Sequence, residues 1–346
     1  MIRVLVVDDS ALMRRIISDI INDNPDLMVV DTAKNGKEAI EMIKKYKPDI
    51  VTMDIEMPIM DGLTALKKIM SEEPTRVIIL SAFAKKDAAA TITALENGAI
   101  DFVQKPSGTI SLDLSEIQET LINKIIEASK VKLEKVQEDV VKQKRKFQLK
   151  IPLSGDLKGV VIGSSTGGPR ALERIIPFIP KGLNAVYFVV QHMPAGFTTS
   201  FAQRLNEISQ VQVKEGLDNE EVKKDVVYLA PGNYHMKANL RNNGLITISL
   251  NQDPPVWGVR PSVDVTMDSL SRIFTNNLMG IVLTGMGHDG TQGCKMIKEY
   301  SGQVIVQDKE TSLIFGMPKS VIDSGSADQI IPLNNIIDNV INFIVE

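Results

Sequence analysis

Short apolar runs alternate with amphipathic stretches along most of this 346-residue chain, and this alternation limits how the chain can fold. In the first 105 residues the apolar runs predict β-strands at Val4–Val7, Met28–Thr32, Ile50–Met53, Val77–Leu80 and Ile100–Val103. Between these strands lie stretches with helical spacing, such as Ala11–Ile21 and Lys37–Lys45. Strands that alternate with helices at this pace form βαβ units, so we expect a parallel sheet with helices on both faces.

A closing helix and a charged linker follow this first block. Helical spacing recurs at the apolar positions Leu114, Ile117, Leu121 and Ile125. From about residue 128 the chain is highly charged and has no Gly or Pro until Pro152, which indicates a solvated linker with a basic end. The predicted organisation is a first domain over residues 1–122, a linker over 123–152 and a second domain over 153–346.

The same alternation resumes in the second domain. Its predicted strands are Val160–Ile162, Ala185–Val190, Val226–Leu229, Ile281–Leu283 and Gln303–Val306. Glycine-containing turns separate them from helical stretches. The predicted fold class is therefore α/β, with two doubly wound domains, the second of them mainly parallel.

Composition excludes several classes of protein. A net charge of −4 gives no reason to expect a nucleic-acid partner, and no apolar run is long enough for membrane insertion. The single cysteine, Cys294, excludes an intramolecular disulfide and a multi-cysteine zinc site, so a cytoplasmic protein is expected. Only three histidines, His192, His235 and His288, are available for histidine-dependent chemistry.

Five chemically distinctive residues follow or end predicted strands of the first domain: Asp8, Asp9, Asp54, Ser81 and Lys105. The carboxyl ends of parallel strands meet at one edge of the sheet, so we expect these side chains to converge. Three clustered carboxylates repel one another unless a cation lies among them, and oxygen ligands suit Mg²⁺. A carboxylate beside Mg²⁺ can attack a phosphoryl group. The alternative is that such acids only cap helices, as Asp9 or Ser10 would cap the first one.

Residues 1–125 resemble the response-regulator receiver family, a flavodoxin-like (βα)5 fold. The strings that carry the resemblance are VLVVDDS, DIVTMDIEMPIMDG, IILSAF and DFVQKP. The resemblance implies that Asp54 is the phosphoacceptor and that Asp8 and Asp9 complete the Mg²⁺ site. It also implies three parts of a phosphorylation switch: Ser81, Phe102 and Lys105.

A glycine-rich turn follows the first strand of the second domain. The string GSSTGGPRALERI places Gly163, Gly167 and Gly168 around two serines, and a helix N-terminus beyond the turn offers free N–H groups. This pattern fits phosphate binding, a nucleophilic serine with an oxyanion site, or a purely structural turn. It matches neither a dinucleotide fingerprint nor a P-loop, and it differs from the G-x-S-x-G elbow.

Two further strand ends favour catalysis. His192 follows the strand Ala185–Val190, and Asp289 lies in the loop after Ile281–Leu283. A serine, a histidine and an acid at converging strand ends match the logic of a catalytic triad. Their order along the chain, Ser–His–Asp, disfavours the α/β-hydrolases, where the acid precedes the histidine.

Residues 153–345 resemble the chemotaxis-specific protein-glutamate methylesterase family. The strings are IGSSTGGP, VVQHMP, YLAPGNYHM, GVRPSVDV, LTGMGHDG and QDKETSLIFGMP. The resemblance selects Ser165 rather than Ser164 as the nucleophile, His192 as the base and Asp289 as the acid. It implies an oxyanion site formed by the Met286 backbone amide, assisted by the Thr166 side of the serine loop.

The two resemblances together imply a phosphorylation-activated enzyme of bacterial or archaeal chemotaxis. The implied reactions are hydrolysis of glutamate γ-methyl esters on chemoreceptors, with release of methanol, and deamidation of receptor glutamines. The implied partners are the methyl-accepting receptors and a chemotaxis histidine kinase as phosphodonor. A cytoplasmic monomer that needs no cofactor for the esterase reaction is expected.

Several candidates keep alternative interpretations. His235 is expected to be structural or to line the pocket, and His288 is a weaker candidate for the base because it adjoins Asp289. Arg260 either guides substrate or pairs with an acid, while Cys294 is expected to be inert. Two rival functions remain: a regulated binding protein with a vestigial triad, and an esterase or amidase acting on another modified protein.

Overall fold

The computed structural model describes residues 1–81, 85–105, 113–133 and 156–346, without the side chains of residues 85–87 and 113–116. The chain divides into two compact units that meet in sequence near residue 142. Each unit is an α/β structure built around its own parallel sheet.

The first unit alternates five strands with five helices. The strands are β1 (Ile2–Val7), β2 (Leu27–Ala33), β3 (Ile50–Asp54), β4 (Arg76–Ser81) and β5 (Asp101–Gln104). The helices are α1 (Ala11–Asn22), α2 (Gly36–Tyr46), α3 (Gly62–Glu72), α4 (Lys85–Glu96) and α5 (Asp113–Ser129). The strands pair in parallel in the order β2-β1-β3-β4-β5, which confirms the predicted doubly wound sheet.

Side-chain caps begin three of these helices. The Met13 amide donates to the Ser10 hydroxyl, the Glu38 amide to the Asn35 side chain, and the Thr64 amide to the Asp61 carboxylate. Ser10 is therefore the cap of α1, and Asp9 is not needed for that role. This leaves the Asp9 carboxylate available at the edge of the sheet.

Helix α5 extends the first unit beyond the predicted boundary. Residue 122 falls inside this helix, and Ile125, Ala128 and Val131 are buried. The Arg76 side chain donates a 2.6 Å hydrogen bond to the Val131 carbonyl, which ties the end of this segment to the start of β4. Packing of the first unit thus continues through the start of the predicted linker, and residues 134–155 of that linker lie outside the described residues.

The second unit is built on a seven-stranded parallel sheet. Its strands are β6 (Lys158–Ser164), β7 (Ala185–Gln191), β8 (Gln212–Glu215), β9 (Val226–Leu229), β12 (Leu278–Val282), β13 (Gln303–Gln307) and β14 (Gln329–Ile331). They pair in the order β14-β13-β12-β6-β7-β9-β8. The remaining strands, β10 (His235–Leu240) and β11 (Ile246–Asn251), form a separate antiparallel pair.

Six helices flank this sheet or close the unit. They are α6 (Gly168–Glu173), α7 (Phe197–Ile208), α8 (Val263–Phe274), α9 (Thr291–Glu299), α10 (Met317–Asp323) and α11 (Ile336–Val345). Strands β6, β7 and β12 lie at the centre of the sheet, and their residues are almost all fully buried. The carboxyl ends of these three strands therefore have fixed positions.

Among the described helices, none combines the length and apolar character that crossing a bilayer requires.

Candidate functional sites

The acidic residues of the first unit meet at the carboxyl edge of its sheet. Asp8 and Asp9 follow β1, Asp54 ends β3, and one carboxylate oxygen from each lies within 4.8 Å of the other two. Asp8 and Asp54 are buried, whereas Asp9 is exposed. The topology produces this cluster because β1 and β3 are neighbours in the sheet.

One lysine is shared by the two buried carboxylates. The Lys105 ammonium lies 2.8 Å from Asp8 Oδ2 and 2.8 Å from Asp54 Oδ2. Burial raises the pKa of Asp54, and the Lys105 charge only partly opposes this effect. Burial works in the other direction on Lys105, but two carboxylates outweigh it and raise the pKa of the ammonium. One ammonium among three carboxylates leaves excess negative charge in the pocket.

The pocket fits a divalent cation. Asp8 Oδ2 is buried, and within the described structure it is engaged by the ion pair with Lys105 at 2.8 Å rather than by any backbone or hydroxyl donor. Asp8 Oδ1, in contrast, accepts a 2.9 Å bond from the Ser10 amide. An all-oxygen cluster with excess negative charge and a buried carboxylate oxygen that accepts no backbone amide suits Mg²⁺. Asp8, Asp9 and Asp54 are the residues that would hold it.

The other two predicted receiver residues lie on the adjacent strands. Ser81 ends β4, is 1% exposed, and accepts a 2.9 Å hydrogen bond from the Thr91 hydroxyl of α4. Phe102 in β5 is also buried, and the Lys124 ammonium of α5 lies 5.3 Å from the centre of its ring. Both residues thus connect the strands beside the acidic pocket to the helices behind them.

In the second unit, the two adjacent serines at the end of β6 have different surroundings. Ser164 is fully buried, and its hydroxyl donates a 2.7 Å bond to Gln191 Oε1. Ser165 is half-buried and lies in the turn that leads into α6. The Ser165 amide donates to the Thr284 carbonyl, and the Ser165 carbonyl accepts from the Gly168 amide at 2.8 Å. Gly167, at φ +80°, supplies the left-handed conformation that closes this turn.

His192 and Asp289 form a direct polar contact in the candidate active site. His192 directly follows β7, Asp289 lies in the loop after β12, and His192 Nε2 is 2.8 Å from Asp289 Oδ2. Both side chains are largely shielded from solvent. A carboxylate only accepts hydrogen bonds, so an ionised Asp289 places the imidazole proton on Nε2 and leaves Nδ1 unprotonated.

The N-terminus of helix α8 keeps Asp289 ionised. The carboxylate accepts hydrogen bonds of 2.7–3.0 Å from four further donors: the amides of Val263, Asp264 and Gly290 and the hydroxyl of Ser262. Burial alone would favour the neutral acid, but His192 and these amides outweigh it and lower the pKa of Asp289. The positive end of the α8 dipole acts in the same direction.

Gln191 joins the serine turn to the histidine. Its side-chain amide donates to the carbonyls of Ser165 at 3.0 Å and His192 at 3.1 Å, while its oxygen accepts from Ser164. The His192 amide also donates to the Ser164 carbonyl, so β6 and β7 remain paired up to both residues. Ser165 and His192 are therefore fixed side by side at the ends of adjacent strands.

The loop after β12 presses directly against Ser165. A Cβ atom at Gly285 would lie 2.8 Å from Ser165 Cβ and 2.3 Å from the sulfur of Met317, so only glycine fits here. The next residue, Met286, is half-buried, and its amide has no partner among the described residues. Thr166 is buried, and its carbonyl accepts from the Thr284 hydroxyl at 2.9 Å. The Met286 amide thus lies in the loop that contacts Ser165.

The remaining candidates have defined structural partners. The Arg260 guanidinium donates to the carbonyls of Gln252 and Asp253 and to Asn233 Oδ1, and among the described residues it pairs with no acid. His288 is exposed, and its ring packs edge-on against Trp257 with ring centres 4.1 Å apart. Cys294 is fully buried, and burial raises the pKa of its thiol, which agrees with an inert role.

Sequence reasoning missed three polar residues that organise the site. Gln191 holds the serine turn, Ser262 binds Asp289, and Thr284 accepts the Ser165 amide. Gln191 carried a signal, because it is the polar last residue of an otherwise apolar, fully buried strand. Nothing comparable marks Ser262, whose role depends on contact with a loop 27 residues away.

Comparisons with known proteins agree with this geometry. Residues 160–340 match the family model described as CheB methylesterase, and residues 4–115 match the response regulator receiver domain. The chain is 48% identical to a Thermotoga maritima protein named protein-glutamate methylesterase/protein-glutamine glutaminase, over 99% of this chain and 98% of that protein. A Pyrococcus abyssi protein of the same name is 46% identical over 98% of this chain and 93% of its own length.

A solved structure extends the similarity to the fold of the second unit. The crystal structure of the Thermotoga maritima CheB methylesterase catalytic domain is 48% identical and covers 55% of this chain and 99% of its own, with a TM-score of 0.53. The catalytic-domain match spans more than half of this chain, and the full-length relatives share its receiver as well. On this ground the chain belongs to the CheB family, in which a receiver domain precedes a CheB methylesterase domain.

Proposed function

We propose that this chain is a protein-glutamate methylesterase and protein-glutamine glutaminase whose activity is controlled by phosphorylation of its receiver domain. Relatives that bear these activities in their names match nearly the whole chain. The observation that carries the proposal is the 2.8 Å contact between His192 and an ionised Asp289 beside the Ser165 turn. This arrangement suits acyl transfer through a serine nucleophile.

In the proposed reaction, Ser165 Oγ attacks the carbonyl carbon of the glutamyl γ-methyl ester. Because Asp289 occupies Nε2 of His192, the Ser165 proton passes to Nδ1. The resulting imidazolium is stabilised by Asp289, which stays ionised throughout. In this role Asp289 fixes the orientation and the tautomer of the ring.

Negative charge then develops on the carbonyl oxygen of the ester. The Met286 amide, aided by the Thr166 side of the serine loop, is the proposed donor to this oxygen. An oxyanion donor of this kind contributes about 2.7–4 kcal/mol of transition-state stabilisation. The contact between Gly285 and Ser165 supports this assignment, because it brings the Met286 loop to the nucleophile.

Collapse of the tetrahedral intermediate breaks the bond to the methoxy group. His192 donates its proton to that group, methanol leaves, and Ser165 carries the glutamyl ester. Water attacks this ester with His192 again as the base, which releases glutamate and restores Ser165. A glutamine side chain follows the same path with ammonia as the leaving group.

In the receiver, Asp54 is the proposed phosphoacceptor. Mg²⁺ held by Asp8, Asp9 and Asp54 would offset charge on the phosphoryl oxygens during transfer. The Lys105 ammonium would bind a phosphoryl oxygen, Ser81 would move its hydroxyl toward the phosphoryl group, and Phe102 would reorient with it. Ser81 and Phe102 are buried and contact helices α4 and α5, respectively. These contacts support a mechanism in which a change at the acidic pocket moves the helices.

The proposed substrates are methylated glutamates and certain glutamines of methyl-accepting chemoreceptors, and the proposed phosphodonor is a chemotaxis histidine kinase. Receptor adaptation of this kind places the enzyme in the cytoplasm, where it is expected to act as a monomer. Phosphorylation would relieve an inhibition that the receiver imposes on the esterase.

Methanol release from a methylated chemoreceptor fragment tests the activity. The unmodified chain should release methanol, a phosphodonor with Mg²⁺ should increase the rate, and the Ser165→Ala variant should release none above background. Equal rates for the two proteins would contradict the serine mechanism. Hydrolysis of small esters without action on the receptor would instead favour an esterase with another protein substrate.

A second measurement tests control by the receiver. A fragment of residues 153–346 should be more active than the unphosphorylated full chain, because it lacks the receiver. Its rate should not respond to a phosphodonor. Equal rates for the fragment and the unphosphorylated chain would contradict inhibition by the receiver while leaving the esterase assignment intact.

A further inference from the structure

A second histidine lies behind the candidate triad. His235 is the first residue of β10, and Ser262 directly precedes α8; their exposed fractions are 1% and 0%. The Ser262 amide lies 3.2 Å from His235 Nδ1, and the Pro254 carbonyl lies 3.2 Å from His235 Nε2. Both ring nitrogens of His235 are thus engaged by backbone groups.

These two partners determine the protonation state of the ring. A backbone amide only donates, so His235 Nδ1 must accept, and a carbonyl only accepts, so Nε2 must carry the proton. The ring is therefore neutral with its proton on Nε2. A second proton, on Nδ1, would face the Ser262 N–H and break that hydrogen bond.

Ser262 connects the His235 ring to the candidate active site. Its hydroxyl donates a 2.9 Å bond to Asp289 Oδ1, while the other carboxylate oxygen contacts His192. The two residues after Ser262, Val263 and Asp264, donate their amides to the same carboxylate. The position of Ser262 thus sets both a side-chain donor and the start of the helix that holds Asp289.

We propose that His235 is a positioning residue, whose neutral ring fixes Ser262 so that Ser262 and the start of α8 hold Asp289 against His192. This inference rests on the proposed triad of Ser165, His192 and Asp289. His235 does not touch substrate in this role. It acts through Ser262, and Ser262 acts through Asp289.

The surroundings of His235 favour its neutral form. Burial is the main influence that lowers the pKa of His235, and the positive charges of Arg260 and Lys237 act in the same direction. The Pro254 carbonyl and the Asp253 carboxylate oppose them without reversing the shift. Arg260 also binds the carbonyls of Gln252 and Asp253, which steadies the segment that carries Pro254.

Two substitutions at residue 235 separate the two ring contacts. In His235→Asn the side-chain oxygen can take the place of Nδ1 and accept from the Ser262 amide. In His235→Gln the longer side chain places its amide near Nε2, so it can donate to Pro254 but leaves Ser262 without its acceptor. If the inference is right, His235→Gln lowers kcat about 10- to 100-fold with KM unchanged, and His235→Asn retains most of the activity.

Ser262→Ala tests the next link. It removes the hydroxyl that binds Asp289 but keeps the backbone amide, and its kcat should also fall about 10- to 100-fold with little change in KM. Ser269→Ala is the matched control: Ser269 lies on the same helix and binds the Ala238 amide and the Thr266 carbonyl, away from Asp289. Its kcat should remain close to that of the unmodified chain. Wild-type kcat in both Ser262→Ala and His235→Gln would overturn the proposal.

Two readouts exclude a merely structural role. The ¹⁵N shifts of the His235 ring in the unmodified chain should show Nδ1 unprotonated and Nε2 protonated near neutral pH; a protonated Nδ1 would overturn the proposal even if every variant failed to fold. On the acid side, log kcat should fall more steeply with decreasing pH in the unmodified chain than in His235→Asn, which lacks the titrating ring. Equal slopes would overturn it too.

The triad itself is tested separately. Full activity in Ser165→Ala would remove the proposed triad and the positioning role together. An inactive Ser165→Ala with unimpaired Ser262→Ala and His235→Gln would leave the triad in place and reject only the role of His235.

Discussion

The Gln191 side-chain oxygen accepts the Ser164 hydroxyl at 2.7 Å, and this hydrogen bond distinguishes the two adjacent serines of the turn. Ser164 is fully buried and its hydroxyl is hydrogen-bonded, whereas Ser165 is half-buried in the turn that follows β6. We therefore expect Ser165→Ala to lower kcat by on the order of 10⁶-fold, as loss of the nucleophile does in other triad hydrolases.

Ser164→Ala should leave most of the activity, because it removes one buried hydrogen bond and no reacting atom. Methanol release from a methylated receptor fragment measures both variants. Covalent labelling of the unmodified chain with a fluorophosphonate, followed by peptide mapping, identifies the reactive serine directly. Label on Ser164, or greater loss of activity in Ser164→Ala, would contradict the assignment of Ser165.

Gln191→Ala should lower kcat about 10- to 100-fold with a smaller effect on KM, because Gln191 fixes the backbone of both Ser165 and His192. Buried carbonyls that lose their donor also destabilise the protein, by about 1–3 kcal/mol. Gln210→Ala is the control, since Gln210 is exposed and its one hydrogen bond within the described part of the chain goes to the Pro177 carbonyl at 3.4 Å. Steady-state kinetics with urea unfolding measures both effects, and unchanged kcat in Gln191→Ala would contradict the role of this side chain.

Asp54→Asn should abolish phosphorylation of the receiver, and Asp8→Asn should weaken its dependence on Mg²⁺. The reason is that Asp8 Oδ2 is buried, accepts no backbone amide in the described structure and fits a cation ligand. Incorporation of radiolabelled phosphate from a small-molecule phosphodonor, with and without chelator, measures both. Asp61→Asn is the matched control, because Asp61 is an exposed acid that caps α3 and lies outside the cluster. Phosphorylation of Asp54→Asn at the normal rate would place the phosphoacceptor elsewhere.

Asp289→Asn should destabilise the folded chain by about 1–3 kcal/mol near neutral pH, because five donors bind the ionised carboxylate. The pKa of Asp289 is lower in the folded chain than when unfolded. Its contribution to stability is therefore fully present above the unfolded pKa of about 3.9 and is lost as the pH falls through the folded value.

Denaturant unfolding between pH 7 and pH 3 tests this dependence. The stability margin of the unmodified chain over Asp289→Asn should start to shrink below about pH 4, where the unfolded chain binds a proton at Asp289, and should stop shrinking once the folded chain is protonated there too. Asp323→Asn serves as the control, because Asp323 is exposed and, among the residues the structure describes, pairs with Lys319 alone. A margin that grows as the pH falls would show that Asp289 is not stabilised as the carboxylate.

Periodicity was sufficient to predict the two parallel sheets, because strands buried on both faces are continuous apolar runs such as Val4–Val7 and Ala185–Val190. The same criterion missed the hairpin β10–β11, whose strands alternate polar and apolar residues, and the short edge strands β8 and β14. The predicted domain boundary at residue 122 falls inside α5, whose helical spacing the sequence already showed up to Ile125.

The sequence predicted those parts of the candidate sites whose residues are positioned by the ends of paired strands. Asp8 and Asp54 meet because β1 and β3 pair, and Ser165 and His192 follow the ends of neighbouring strands because β6 and β7 pair. The choice of Ser165 over Ser164 came only from family resemblance, because no sequence period reveals that the Ser164 hydroxyl is buried against Gln191. Contacts between a loop and a helix start, such as Ser262 with Asp289, follow no sequence period and could not be predicted.

The absence of a side chain at Gly285 limits which substitutions the catalytic domain can accept. Trp257, in contrast, is 55% exposed, and it contacts Asp264 through a 2.9 Å hydrogen bond and His288 through its ring. Any replacement at Gly285 instead drives a carbon atom into Ser165 and Met317. A single methyl group at Gly285 therefore displaces the nucleophile, although Gly285 itself takes no part in the chemistry.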